Sequence, residues 1–144
     1  MTTATLDGMM ATREGPAAPR RDRRRVLLIG DDRWVRALFV DVLAAMGCEV
    51  QAAASGEEGL VLFGRGEYQL VIADLEMGRV GGLEVARAVA TATAPAPVII
   101  VTGSDKGRGE LEQRLKGCTV LTKPVRLPDF QEAVLQALDR LRTR

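Results

Sequence analysis

Apolar residues in this chain fall into two alternating patterns. Short continuous runs come at Val26-Leu27-Leu28-Ile29, Gln69-Leu70-Val71-Ile72-Ala73 and Val98-Ile99-Ile100-Val101. Runs of this length, apolar almost throughout, predict strands buried on both faces. Glu49 to Ala53 and Thr119 to Leu121 are two further strand candidates. Between the runs, apolar positions recur at helical spacing. Val35, Leu38, Val42 and Met46 predict a helix stopped by Gly47. Ser55 is placed to cap a second helix through Leu60 and Phe63. A third spans Leu83 to about Ala90, and a weaker fourth lies between Gly109 and Lys116, where Gly107 and Gly109 lower the propensity. Leu127, Phe130, Val134, Leu138 and Leu141 mark a closing amphipathic helix.

Strand then helix, five times over, predicts an α/β fold with a parallel sheet covered on both faces. Right-handed crossovers make it doubly wound. Ligands of such sheets sit outside the carboxyl ends of the strands. The informative residues are therefore those just after the apolar runs: Gly30-Asp31-Asp32, Asp74, Thr102 and Lys123.

The 144 residues suit one domain. Residues 1–24 stand apart: they are rich in Thr, Ala, Gly and Pro, end in an Arg cluster and have no hydrophobic period. They read as a disordered basic arm ahead of a domain over 25–144. The net charge of +1 gives nucleic acid little to attract it. No apolar run is long enough to span a bilayer, and the N-terminus lacks a secretory apolar stretch, so the cytoplasm is the expected location. The two cysteines, Cys48 and Cys118, are in no metal-binding or redox spacing and read as buried thiols. There is no histidine, which removes imidazole chemistry and His metal ligation. Trp34, at the start of the first helix, reads as a packing residue.

The strand-end residues have a chemistry in common. Asp31 and Asp74 would repel each other unless a cation lies between them. Oxygen ligands with open positions suit Mg²⁺. With the Lys123 ammonium and the Thr102 hydroxyl close by, the Asp74 carboxylate becomes a receptacle for a phosphoryl group, with Asp as nucleophile.

These motifs resemble the receiver (CheY-like) domains of bacterial two-component response regulators. They are Asp31 after the first strand, Asp74-Leu75-Glu76-Met77 followed by Gly81-Gly82-Leu83-Glu84, Val101-Thr102, and Leu121-Thr122-Lys123-Pro124. The resemblance runs from about Arg25 to Leu141. It implies a flavodoxin-like sheet in strand order 2-1-3-4-5, and a phosphorelay function rather than enzymatic turnover, beyond Mg²⁺-dependent self-phosphorylation and autodephosphorylation. Asp74 is then the phosphoacceptor. Asp31, Asp74 and the Glu76 backbone carbonyl are the Mg²⁺ ligands, with Asp32 able to contribute only through a water. Thr102 and Lys123 hold the phosphoryl group, and the Lys123–Pro124 bond is cis. The implied partners are a histidine kinase or histidine phosphotransfer protein and a downstream protein, with room for a homodimer. Because the sequence ends after the fifth helix, output is expected to come from another protein.

Three positions depart from the family pattern. Gly30 stands where a first acid is usual, which thins the metal site. Gly78 replaces a proline after Met77. Val120 takes the place of a switching aromatic. Together they motivate an alternative, a receiver-like interaction module that works without phosphate. A flavodoxin would want a phosphate loop where Gly30-Asp31-Asp32 stands, and an aspartate-based phosphatase would want a second Asp where Glu76 stands.

Overall fold

The computed structural model describes residues 24–104, 108–114 and 117–142. Except for Arg24, the arm expected over 1–24 lies outside them, as does Gly107. Five strands and five helices alternate: β1 (Arg25–Ile29), α1 (Arg33–Ala45), β2 (Glu49–Ala53), α2 (Gly56–Arg65), β3 (Leu70–Asp74), α3 (Gly82–Ala90), β4 (Val98–Thr102), α4 (Arg108–Arg114), β5 (Cys118–Thr122) and α5 (Leu127–Arg142). All strand pairs are parallel, and the sheet order is β2-β1-β3-β4-β5, the doubly wound α/β fold expected from the sequence.

Strand side chains alternate between the two faces of a sheet, and here both faces are covered. Val26, Leu28, Leu70, Ile72, Ile99 and Val101 meet α1 and α5 through Phe39, Leu43, Phe130 and Val134. Phe39 and Phe130 stack at 4.3 Å between ring centroids. Leu27, Ile29, Val71, Ala73, Ile100 and Val120 form the other core, with Val85, Ala86 and Val89 of α3. The central strands β3 and β4 are buried along their whole length, whereas edge strand β2 exposes Glu49 and Gln51.

The helix starts follow local chemistry. Ser55 Oγ accepts the Glu58 N–H at 3.1 Å, and Glu58 returns a bond to the Ala54 N–H at 2.8 Å, close to a capping box. Asp32 caps α1: its Oδ1 accepts the N–H groups of Trp34 and Val35 at 2.9 and 3.1 Å. The cap belongs to Asp32 because the chain is still extended there and turns helical at Arg33.

Three expectations about packing are corrected. In α1, Phe39 and Leu43 face the core, while Leu38 is 56% exposed. Trp34 is 74% exposed, and its ring lies under the Arg33 guanidinium at 5.0 Å instead of in the core. Cys48 is buried, but Cys118 opens an edge strand and is only half-buried. Both thiols are free. Among the described residues, no helix is long and apolar enough to cross a membrane.

Candidate functional site

The site is built at the carboxyl ends of β1, β3, β4 and β5. Asp74 is the last residue of β3, paired in register with Val101, and Thr102 ends β4 one residue further on. Two backbone bonds fix the strand ends: the Leu75 N–H donates to the Val101 carbonyl at 2.8 Å, and the Lys123 N–H to the Thr102 carbonyl at 2.7 Å. Asp74 is 6% exposed and Thr102 2%. Lys123 Nζ lies 3.5 Å from Asp74 Oδ1. The Lys123–Pro124 peptide is cis.

Gly82 brings α3 against the acceptor strand. A Cβ there would lie 2.6 Å from the Asp74 carbonyl oxygen and 2.9 Å from Leu75 Cα, closer than side-chain carbons approach. The Gly81-Gly82 pair is therefore a packing requirement of the Asp74 loop.

Gly30 sits directly over the carboxylate. A Cβ at this position would be 3.2 Å from Asp74 Oδ2. Arg36 Nη1 donates to the Gly30 carbonyl at 2.6 Å and ties this turn to α1. Beneath it lies a cavity of about 10 Å³, lined in part by Gly30, Asp32, Arg36, Phe39 and Asp74, enough for about one water.

Burial pushes the Asp74 carboxyl above its ordinary value. The Lys123 ammonium opposes this, while the negative charges of Asp31 and Glu76 add to it. Two further acids, Asp31 and Glu76, thus act on one desolvated carboxylate, with the Lys123 ammonium in contact. The set is hard oxygen only, which suits Mg²⁺, a cation that takes one or two carboxylates and fills its other positions with water or phosphate oxygens. Among the described residues no three or more Cys, Asp or Glu side chains are grouped so as to hold a metal ion by themselves.

The structure gathers Asp74, Thr102 and Lys123, with the charges of Asp31 and Glu76 felt at Asp74. Asp32 is held by its capping bonds. Val120 is fully buried in the core beneath α3, so it cannot act as a rotating surface group. Two features escaped the sequence. The Glu76 side chain accepts from Thr102 Oγ1 at 2.8 Å and from the Gly103 N–H at 3.2 Å. Arg36 anchors the Gly30 turn, and nothing in its spacing signals that.

A sheet of this order with an acid at β3, a hydroxyl at β4 and a lysine at β5 defines a signalling receiver. The chain belongs to the response regulator receiver domain family, whose model matches residues 26–135. It is 28% identical over 117 residues to a probable chemotaxis protein CheY of Rhizobium etli, covering 78% of this chain and 91% of that protein. It is 36% identical over 98 residues to a gliding motility regulatory protein of Myxococcus xanthus, covering 64% of this chain but only 13% of that much longer protein. The crystal structure of the response regulator TrrA from Thermotoga maritima, in complex with Mg²⁺-BeF, matches with a TM-score of 0.72 and 31% identity, covering 79% of this chain and 98% of that one. The family is a phosphorelay signalling one, and nothing in this relationship favours the phosphate-independent alternative.

Proposed function

We propose that Asp74 is the phosphoacceptor of a Mg²⁺-dependent receiver. It would take its phosphoryl group from a histidine kinase or histidine phosphotransfer protein and change the surface it offers a downstream protein. The observation that carries this is the buried Asp74 carboxylate, with the Lys123 ammonium at 3.5 Å and the Thr102 hydroxyl at the next strand end. In the reaction an Asp74 oxygen attacks phosphorus and the P–N bond to the donor imidazole breaks, leaving that electron pair on the nitrogen. Lys123 neutralises the charge that remains on the phosphoryl oxygens, and Thr102 offers one of them a hydrogen bond. Asp31, Asp74 and the Glu76 carbonyl are the groups that would hold Mg²⁺, and Asp32 would contribute only through a water. Bound there, the metal would supply positive charge that offsets the charge of the carboxylates and of the phosphoryl group. The reading assigns residues 25–144 to the receiver and 1–24 to an appended arm, and carries with it a cytoplasmic location.

Because Val120 has no ring to rotate, the readout would start with the change of hydrogen-bond partner at Thr102. The test is incubation with a small-molecule phosphodonor and Mg²⁺, followed by intact mass. The wild type should gain one phosphoryl group and Asp74→Asn none. A wild type that stays unlabelled, under conditions that label an ordinary receiver, would overturn the reading and favour the phosphate-independent module.

A further inference from the structure

The donors around Asp74 are already engaged by an anion from the chain itself. The Glu76 carboxylate takes the Thr102 hydroxyl on Oε2 at 2.8 Å and the Gly103 N–H on Oε1 at 3.2 Å. Both donors lie at the end of β4, next to the acceptor strand end. A carboxylate and a phosphoryl group resemble each other here: each presents oxygens that share negative charge and accept charge-assisted hydrogen bonds. We infer that Glu76 is a tethered stand-in for the phosphoryl group, occupying the Thr102 and Gly103 donors until phosphorylation displaces it.

This rests on Asp74 being the acceptor, and it adds a competitor to that site. A group on Asp74 could recruit Thr102 and Gly103 only after both Glu76 bonds break. The incoming anion exchanges one partner for another, so its net gain is smaller than two new bonds would give. Glu76 also keeps the Thr102 hydroxyl turned toward an anion before any phosphate arrives. The resting threonine is thus already in an engaged orientation, and phosphorylation changes its partner more than its position. Glu76 acts here as a positioning residue: it sets what Thr102 and Gly103 can bind without touching phosphorus itself.

Two measurements test this. The first needs no phosphate or metal. Amide hydrogen exchange at Gly103 should be slowed in the wild type and accelerate about tenfold in Glu76→Ala, the loss expected when one charge-assisted bond is removed. Unchanged exchange at Gly103 would overturn the inference even if Asp74 is the acceptor. The second is titration with beryllium fluoride and Mg²⁺. Glu76→Ala should bind about tenfold tighter than wild type, and Glu76→Gln should fall between them. In a Thr102→Val background the gain from Glu76→Ala should shrink, since one of the two contested donors is gone. Equal affinities of wild type and Glu76→Ala would refute the competition while leaving the phosphoacceptor role intact. Binding in neither protein would overturn that role and the inference with it.

Discussion

Replacing Lys123 by Met should destabilise the fold at neutral pH and leave it nearly unchanged in acid. Lys123 Nζ sits 3.5 Å from Asp74 Oδ1. Two unit charges at that separation attract by about 5 kcal/mol at an effective dielectric of about 20, and by about 1 kcal/mol in bulk water. The Lys123 side chain is 39% exposed, so solvent screens the pair and the water limit is the better guide. The expected loss is about 1–2 kcal/mol. Its pH dependence follows from Asp74, whose carboxyl burial holds above the ordinary value. A carboxyl raised in the folded state contributes stability that is present in acid and is lost as pH rises through its folded value. Removing Lys123 raises that value further, so the variant loses more stability over the same rise. Urea denaturation of wild type, Lys123→Met, Asp74→Asn and the double variant, at neutral and acid pH, gives the complete cycle. With Asn at position 74, which has no charge to pair, Lys123→Met should cost almost nothing. A loss from Lys123→Met that persists undiminished in acid, or in the Asp74→Asn background, would refute the electrostatic explanation.

Asp74→Asn by itself should raise stability at neutral pH, since it removes a buried charge that Asp31 and Glu76 oppose, and the gain should fade in acid; the same urea curves check it. Gly82→Ala should cost about 1–3 kcal/mol by forcing α3 off the Asp74–Leu75 backbone, seen as a lower thermal midpoint. Gly30→Asp should tighten Mg²⁺ binding several-fold by restoring a carboxylate over Asp74. A titration followed by the fluorescence of Trp34, the sole tryptophan, or by calorimetry would show it, and an unchanged affinity would contradict the thinned metal site. Cys48, whose thiol burial pushes above its ordinary value, should react with thiol reagents at neutral pH far more slowly in the native protein than in denaturant.

The sheet and most of the site were legible in the sequence because the strands are buried on both faces and so appear as unbroken apolar runs. Each run ends where its chemistry begins, which is why Asp74, Thr102 and Lys123 could be named in advance. Helix α1 was harder. Val35, Leu38, Phe39, Val40, Val42 and Leu43 make it apolar around much of its circumference, so periodicity could not say that Phe39 and Leu43, and not Leu38, would meet the sheet. The Asp32 cap depended on where the backbone turns helical, which a run of two aspartates leaves open. The Glu76 contact was not legible at all. Its partner lies 26 residues away, and the bond forms only because the loops after β3 and β4 run side by side.

The central claim is chemical and local: the carboxylate of Asp74 receives the phosphoryl group. An acyl phosphate on that side chain is reduced by borohydride to the corresponding alcohol, so the phosphodonor-treated protein, reduced and digested, reports its own acceptor. Homoserine at position 74, absent without the donor, is the expected product. Homoserine at Asp31 or Asp32, or none at any position in a protein that has gained a phosphoryl group, would contradict the claim.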